Sequence, residues 1–171
     1  NGKKDQFTDT WRGTDRKLKS GIFFGSEIKK VSYFKNKIPK EVLNITEALT
    51  RAKKIYYYLQ QHFTDNRNGY NFQKINTKRA FEEKSGTVPE INMSLYNALK
   101  AAKLDAFIVL ASTRSKGEPT KLYPVINDFN YLLVKTTING KDYFLDASKK
   151  YLPFGLTPYE TLNGEVRVMD F

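Results

Sequence analysis

Residues 82–106 read EEKSGTVPEINMSLYNALKAAKLDA, and the fold turns on how they are read. The stretch has the form of a glycine-containing loop that leads into the first turn of a helix. Pro89 suits the first helical position, where a missing N–H is no loss. Thr87 or Val88 falls at the cap, and Glu90 in the first turn favours the positive end of the helix dipole. Val88, Ile91, Leu95, Leu99 and Ala102 then make one face, widened by Ala98. Alanines at 98, 101 and 102 let a neighbouring element approach closely, so the helix is expected to be buried. A loop of this form can carry a nucleophile, but the position itself reads Thr87-Val88-Pro89.

Working outward, residues 106–113 (AFIVLAST) form a continuous apolar run of strand type, and RSKGEPTKLYP after it reads as an exposed loop. FNYLLVKTTINGKDYFLDAS, residues 129–148, is a hairpin around Asn139-Gly140, the pair favoured in a two-residue type I′ turn. Such a turn sets Ile138 opposite Lys141, Leu133 opposite Asp146 and Tyr131 opposite Ser148. Tyr131, Leu133, Asp146 and Ser148 therefore share a face, with Asn130 on the other. Tyr131 and Asp146 become diagonal neighbours, about 7–8 Å apart and within reach of a long side chain.

Before residue 82, Leu49, Ala52, Ile55, Tyr56 and Leu59 recur at helical spacing up to about Phe63, with Thr46 as the expected cap. TDNRNGYN carries turn chemistry at Asn68-Gly69, and residues 73–84 suit a short helix with Ala80 and Phe81. Residues 1–42 show weak periodicity broken by Gly13, Gly21, Gly25 and Pro39, which suggests short strands or an extended arm. After Ser148 the tail is expected to cover the sheet with little regular structure. The class is α+β, with residues 1–44 an arm or the remnant of a preceding domain and 45–171 one compact core.

Composition narrows the chemistry. The chain has 171 residues, no cysteine and one histidine. Disulfides, thiolate metal sites and cysteine nucleophiles are excluded together; His62 is the sole imidazole, and at the end of its helix it reads as a structural residue. No cofactor or metal is expected. The net charge of +11 is concentrated early, with 19 Lys/Arg against 9 Asp/Glu in residues 1–84, as singles and pairs without a long run. That pattern suits a solvated basic face better than a nucleic-acid footprint. No apolar run is long enough to span a bilayer. The opening NGKKDQFTDTWRG reads as a cut from a longer chain, compatible with a removed export signal.

The order of helix-opening loop, apolar strand and strand pair ending in LDA resembles the transglutaminase-like core, a relative of the papain-like fold. The matching wording is SGTVPEIN, VLASTRSKG, FNYLLV, YFLDAS and PFGLTP, over about residues 45–165. The likeness is to bacterial domains of this kind that follow a β-rich region in larger exported proteins. It implies N-terminal helices and a central buried helix packed on an antiparallel sheet. In the family's triad the cysteine position falls on Val88, the histidine position on Tyr131 and the aspartate position on Asp146, which is retained; Glu90 stands where the motif has an aspartate.

Thiol acyl transfer needs a thiolate, an imidazole and a group that orients it. Valine has no nucleophilic atom, and a tyrosine with a pKa near 10 is a poor base at neutral pH. The resemblance therefore implies an inactive domain, serving a larger bacterial protein as a binding or scaffolding module. A peptide or glycan is the expected ligand, in a groove lined by Glu90, Asn92, Arg114, Tyr131 and Asp146. Each has a plainer role: Glu90 as a dipole partner, Asn92 as a loop cap, Arg114 as partner of a local acid, Asp146 as a tie between hairpin and helix. Two alternatives remain in view: a hydrolase whose Glu90 and Asp146 converge as acid and base, and a binder of acidic polymers through the basic first half. A Ser85–His62–Asp146 arrangement would need His62 to reach across from an earlier helix. Of Tyr56, Tyr57 and Tyr58, at least one must lie at the surface.

Overall fold

A computed structural model of the chain describes residues 24–67, 72, 74–117 and 129–169. At its centre is the helix expected from residues 88 onward, running Val88–Ala101, with every residue from Val88 to Leu99 buried. Thr87 is its cap: the Thr87 hydroxyl accepts from the Glu90 amide and the Glu90 carboxylate accepts from the Thr87 amide, a reciprocal capping box. Pro89 sits one place further in than expected, behind Val88. The preceding elements are α1 (Val31–Lys37), α2 (Lys40–Leu43), α3 (Ala48–His62), strand β1 (Thr64–Asp65), α4 (Thr77–Glu83) and strand β2 (Ser85–Gly86), which makes the central helix α5.

Four antiparallel strands lie against α5 in the order β5-β4-β3-β6: β3 is Asp105–Ala111, β4 Tyr131–Ile138, β5 Lys141–Leu145 and β6 Arg167–Met169. The β4–β5 register has Ile138 opposite Lys141 and Val134 opposite Leu145, as the two-residue turn requires. Asn139 and Gly140 both have positive φ, 52° and 76°, the backbone of a type I′ turn. β3 runs beside β4 with Ala111 opposite Tyr131. A second, two-stranded parallel pairing sets Thr64 beside Ser85 and Asp65 beside Gly86, so the loop before α5 is tied to the end of α3.

Three expectations need correction. Within the described part of residues 1–42, the chain is helical rather than extended: Glu27–Lys29 is a 3₁₀ turn and α1 packs on α5. Phe34 is its anchor, buried edge-to-face on Phe81 with ring centroids 5.6 Å apart. Residues 1–23 lie outside the described residues, as do Asn68-Gly69 and residues 118–124 of the expected loop. The cap of α3 is Glu47, whose carboxylate accepts from the amides of Leu49 and Thr50, in place of Thr46. The tail is not free of regular structure: β6 pairs with the outer edge of β3, satisfying backbone groups that an edge would leave open.

Candidate functional site

The three positions that the resemblance marks do meet. Val88 opens α5 and is 1% exposed; it packs in a small apolar cluster with Val109, Ala111, Tyr131 and Leu133. Tyr131, at the start of β4, points the same way because β4 alternates, and its hydroxyl donates to Asp146 Oδ2 at 2.7 Å. Both residues are fully buried. The diagonal relation read from the turn is thus realised as a direct bond.

Asp146 accepts four donors. Besides Tyr131, Oδ1 takes Asn92 Nδ2 at 2.9 Å, the Ser148 amide at 2.9 Å and the Ser148 hydroxyl at 2.6 Å. Asn92 also donates to the Leu132 carbonyl at 2.8 Å and accepts from the Ala147 amide at 2.9 Å. One amide side chain thereby ties α5 to β4 and to the loop after β5, which is the loop-capping one of the two roles read for it. Tyr131 is held protonated: burial comes first, and the neighbouring Asp146 charge and hydrogen bond add to it, pushing the phenol far above its ordinary value.

Glu90 belongs to a different network. Its Oε1 accepts from Arg79 Nη2 at 2.8 Å and from the Asn76 amide at 3.1 Å, and its Oε2 from the Thr87 amide at 2.9 Å. Arg79 is held more firmly protonated, mainly by that hydrogen bond to Glu90. The convergence of Glu90 and Asp146 that the alternative hydrolase reading requires is not found: they share no partner among the described residues. Gly86 sits over this network. A Cβ there would lie 3.0 Å from Ala80 Cβ and 3.2 Å from Glu90 Oε2, so the glycine serves close approach.

His62 is elsewhere. Its ring stacks on Phe81 at 4.0 Å between centroids, and Nε2 donates to the Phe81 carbonyl at 2.8 Å. A Ser85–His62–Asp146 triad is excluded, since the four donors to Asp146 come from Asn92, Ser148 and Tyr131. Arg114 is exposed and stacks over the Tyr159 ring, its guanidinium carbon 4.4 Å from the centroid; it has no acid partner among the described residues. Of the five residues expected to line a groove, Glu90, Asn92, Tyr131 and Asp146 are buried and only Arg114 reaches the surface.

Sequence reading missed the clamp on the loop after β5. The Tyr56 hydroxyl lies 2.9 Å from the carbonyls of both Asp146 and Leu152, and Gln60 Nε2 donates to the carbonyls of Lys149 and Leu152. A glutamine one turn after a core tyrosine was the available signal, but its partners lie about 90 residues away in sequence. Tyr57 is the surface member of the tyrosine run.

No protein-family model matches the sequence, and no curated protein matches it. Solved structures do. A "putative protease" from Parabacteroides distasonis ATCC 8503 aligns over 79% of the chain with TM-score 0.56 and 16% identity. A "putative cysteine protease" from Cytophaga hutchinsonii aligns over 86% with TM-score 0.55 and 15% identity. The chain spans 25% of the first protein and 51% of the second. At that identity the likeness is one of fold: the chain has the mixed helix-and-antiparallel-sheet architecture of these proteins, consistent with a papain-like core.

Proposed function

We propose that the chain is a catalytically inactive domain of the transglutaminase-like kind, acting as a binding or scaffolding module of a larger, exported bacterial protein. The observation that carries this reading is the 2.7 Å bond from buried Tyr131 to buried Asp146 beside the buried Val88 side chain. The position where acyl transfer needs a thiolate is filled by an isopropyl group packed on apolar neighbours. The position of the base holds a phenol that stays protonated and donates. What remains is a junction that joins α5, β4 and the loop after β5. A peptide or glycan ligand would then be met at the surface, by Arg114 and the Tyr159 ring beneath it.

The test is turnover. The purified chain should show no amide hydrolysis and no amine transfer above a protein-free blank. Robust turnover that co-purifies with the folded chain and disappears in Asp146→Asn, with the circular dichroism spectrum unchanged, would overturn the reading.

A further inference from the structure

The excess of basic residues in the first half has a focus. Lys35 and Asn36 near the end of α1, Lys40 and Leu43 of α2, Asn44, Arg51 of α3, and Ala101, Ala102 and Lys103 at the end of α5 surround a cavity of about 440 Å³. That volume is within the usual range of small-molecule sites, roughly 300–1,000 Å³. Four cations line it and no carboxylate does. Some other cations of the fold are paired, Lys37 with Glu82, Arg79 with Glu90 and Lys135 with Asp142. Among the described residues, none of Lys35, Lys40, Arg51 and Lys103 has an acid partner. Glu47, near Arg51 in sequence, has both oxygens engaged in capping α3.

Helix ends explain only part of this charge. Lys35 and Lys103 lie at helix C-termini, where a cation is favourable with no ligand at all. Arg51 stands near the start of α3, where a cation opposes the dipole, while Lys40 belongs to the single turn of α2. Arg51 adds an independent observation. Its Nη1 donates to the carbonyls of Ile45 and Thr46, which fixes the side chain. Its Nε is buried with no partner, and buried donors are normally paired. Closed off from solvent, Nε cannot itself meet a ligand, so Arg51 contributes a fixed charge at the cavity wall.

We propose that this cavity is a binding site for a small phosphorylated molecule. A phosphate monoester carries about −1.5 to −2 charge and three acceptor oxygens at neutral pH, which suits four cations better than one carboxylate would. Arg51, fixed by its two carbonyl partners, and the three lysines balance the charge, and the Asn36 and Asn44 amides are neutral donors at the wall. Ala101 and Ala102 leave the room. The site is independent of the Val88–Tyr131–Asp146 junction and shares no residue with it.

Calorimetric titration of the whole chain with pyrophosphate, at near-physiological salt, tests this. One pyrophosphate should bind per chain. Arg51→Gln and Lys40→Gln, each of which removes one cavity charge, should each weaken binding about tenfold; Lys53→Gln, outside the cavity, should not. Citrate, of similar charge but planar carboxylates, should bind about tenfold more weakly than pyrophosphate. Absence of binding, or affinity unchanged in both cavity variants, would overturn the site. Citrate binding as well as pyrophosphate would overturn the phosphate assignment. A single-stranded oligonucleotide binding more tightly, with affinity falling steeply in salt, would replace the small molecule with a polymer.

Discussion

Val88 and Asp146 show how one residue can close a site that its neighbours still outline. At Val88 the β-branched side chain fills space against Val109, Ala111 and Leu133, so the surroundings have adjusted to an apolar group. A thiol placed there would be walled in. Val88→Cys is expected to fold at a cost under about 1.5 kcal/mol, and its thiol should react with Ellman's reagent at least about tenfold more slowly in native buffer than in urea. Fast native labelling would mean that the helix start is open. At Asp146 the accounting is of donors. Tyr131→Phe strands one carboxylate lone pair and should cost about 1–3 kcal/mol. Asp146→Ala strands Tyr131, Asn92 and Ser148 together and should cost more, by urea denaturation of both variants. Equal costs would mean that the other donors find new partners.

Between elements, the loop from α4 into α5 is held by contacts that explain its composition. Gly86 lies where any side chain would press on Ala80 and Glu90. Gly86→Ala should destabilise by about 1–3 kcal/mol, as overpacked cores do, and a loss below about 0.5 kcal/mol in chemical denaturation would show that the loop can give. Lys103 offers the opposite case: with φ of 57° just past the end of α5 it occupies the position that helices commonly give to glycine. Lys103→Gly should therefore stabilise, by up to about 1 kcal/mol, even while it removes a cavity cation. These elements differ in how much of them the sequence discloses. The Asn139-Gly140 turn dictates its own register, and a period of two then carries that register to Tyr131 and Asp146. The capping box of α5 is equally local, in Thr87 and Glu90. By contrast α1 has no side-chain cap and is seven residues long; it is helical because Phe34 reaches Phe81, a contact between segments distant in sequence. The three residues of β6 are a strand only because the edge of β3 is available. The cavity was invisible for the same reason, since its cations come from four separate elements.

Across the whole molecule, two buried phenols act as the bolts between layers: Tyr131 joins β4 to Asp146, and Tyr56 joins α3 to the carbonyls of the loop after β5. Both are pushed well above the ordinary tyrosine value, first by burial and then by the nearby Asp146 charge. In the unfolded chain each should titrate near 10. The sign follows directly. Below about pH 10 both states keep the proton, and the contribution of each phenol to stability is complete. Above it the unfolded chain sheds protons that the folded chain retains, so the unfolded state gains and stability falls, by up to about 1.4 kcal/mol per pH unit for each phenol. Urea denaturation from about pH 8 to pH 11 should thus show a plateau followed by a steep decline. In Tyr131→Phe the plateau starts lower, but the decline should be shallower, because one of the retained protons is gone. A decline as steep as that of the parent chain would mean that Tyr131 ionises in the folded state, and the closed junction around Asp146 would then have to be open to solvent.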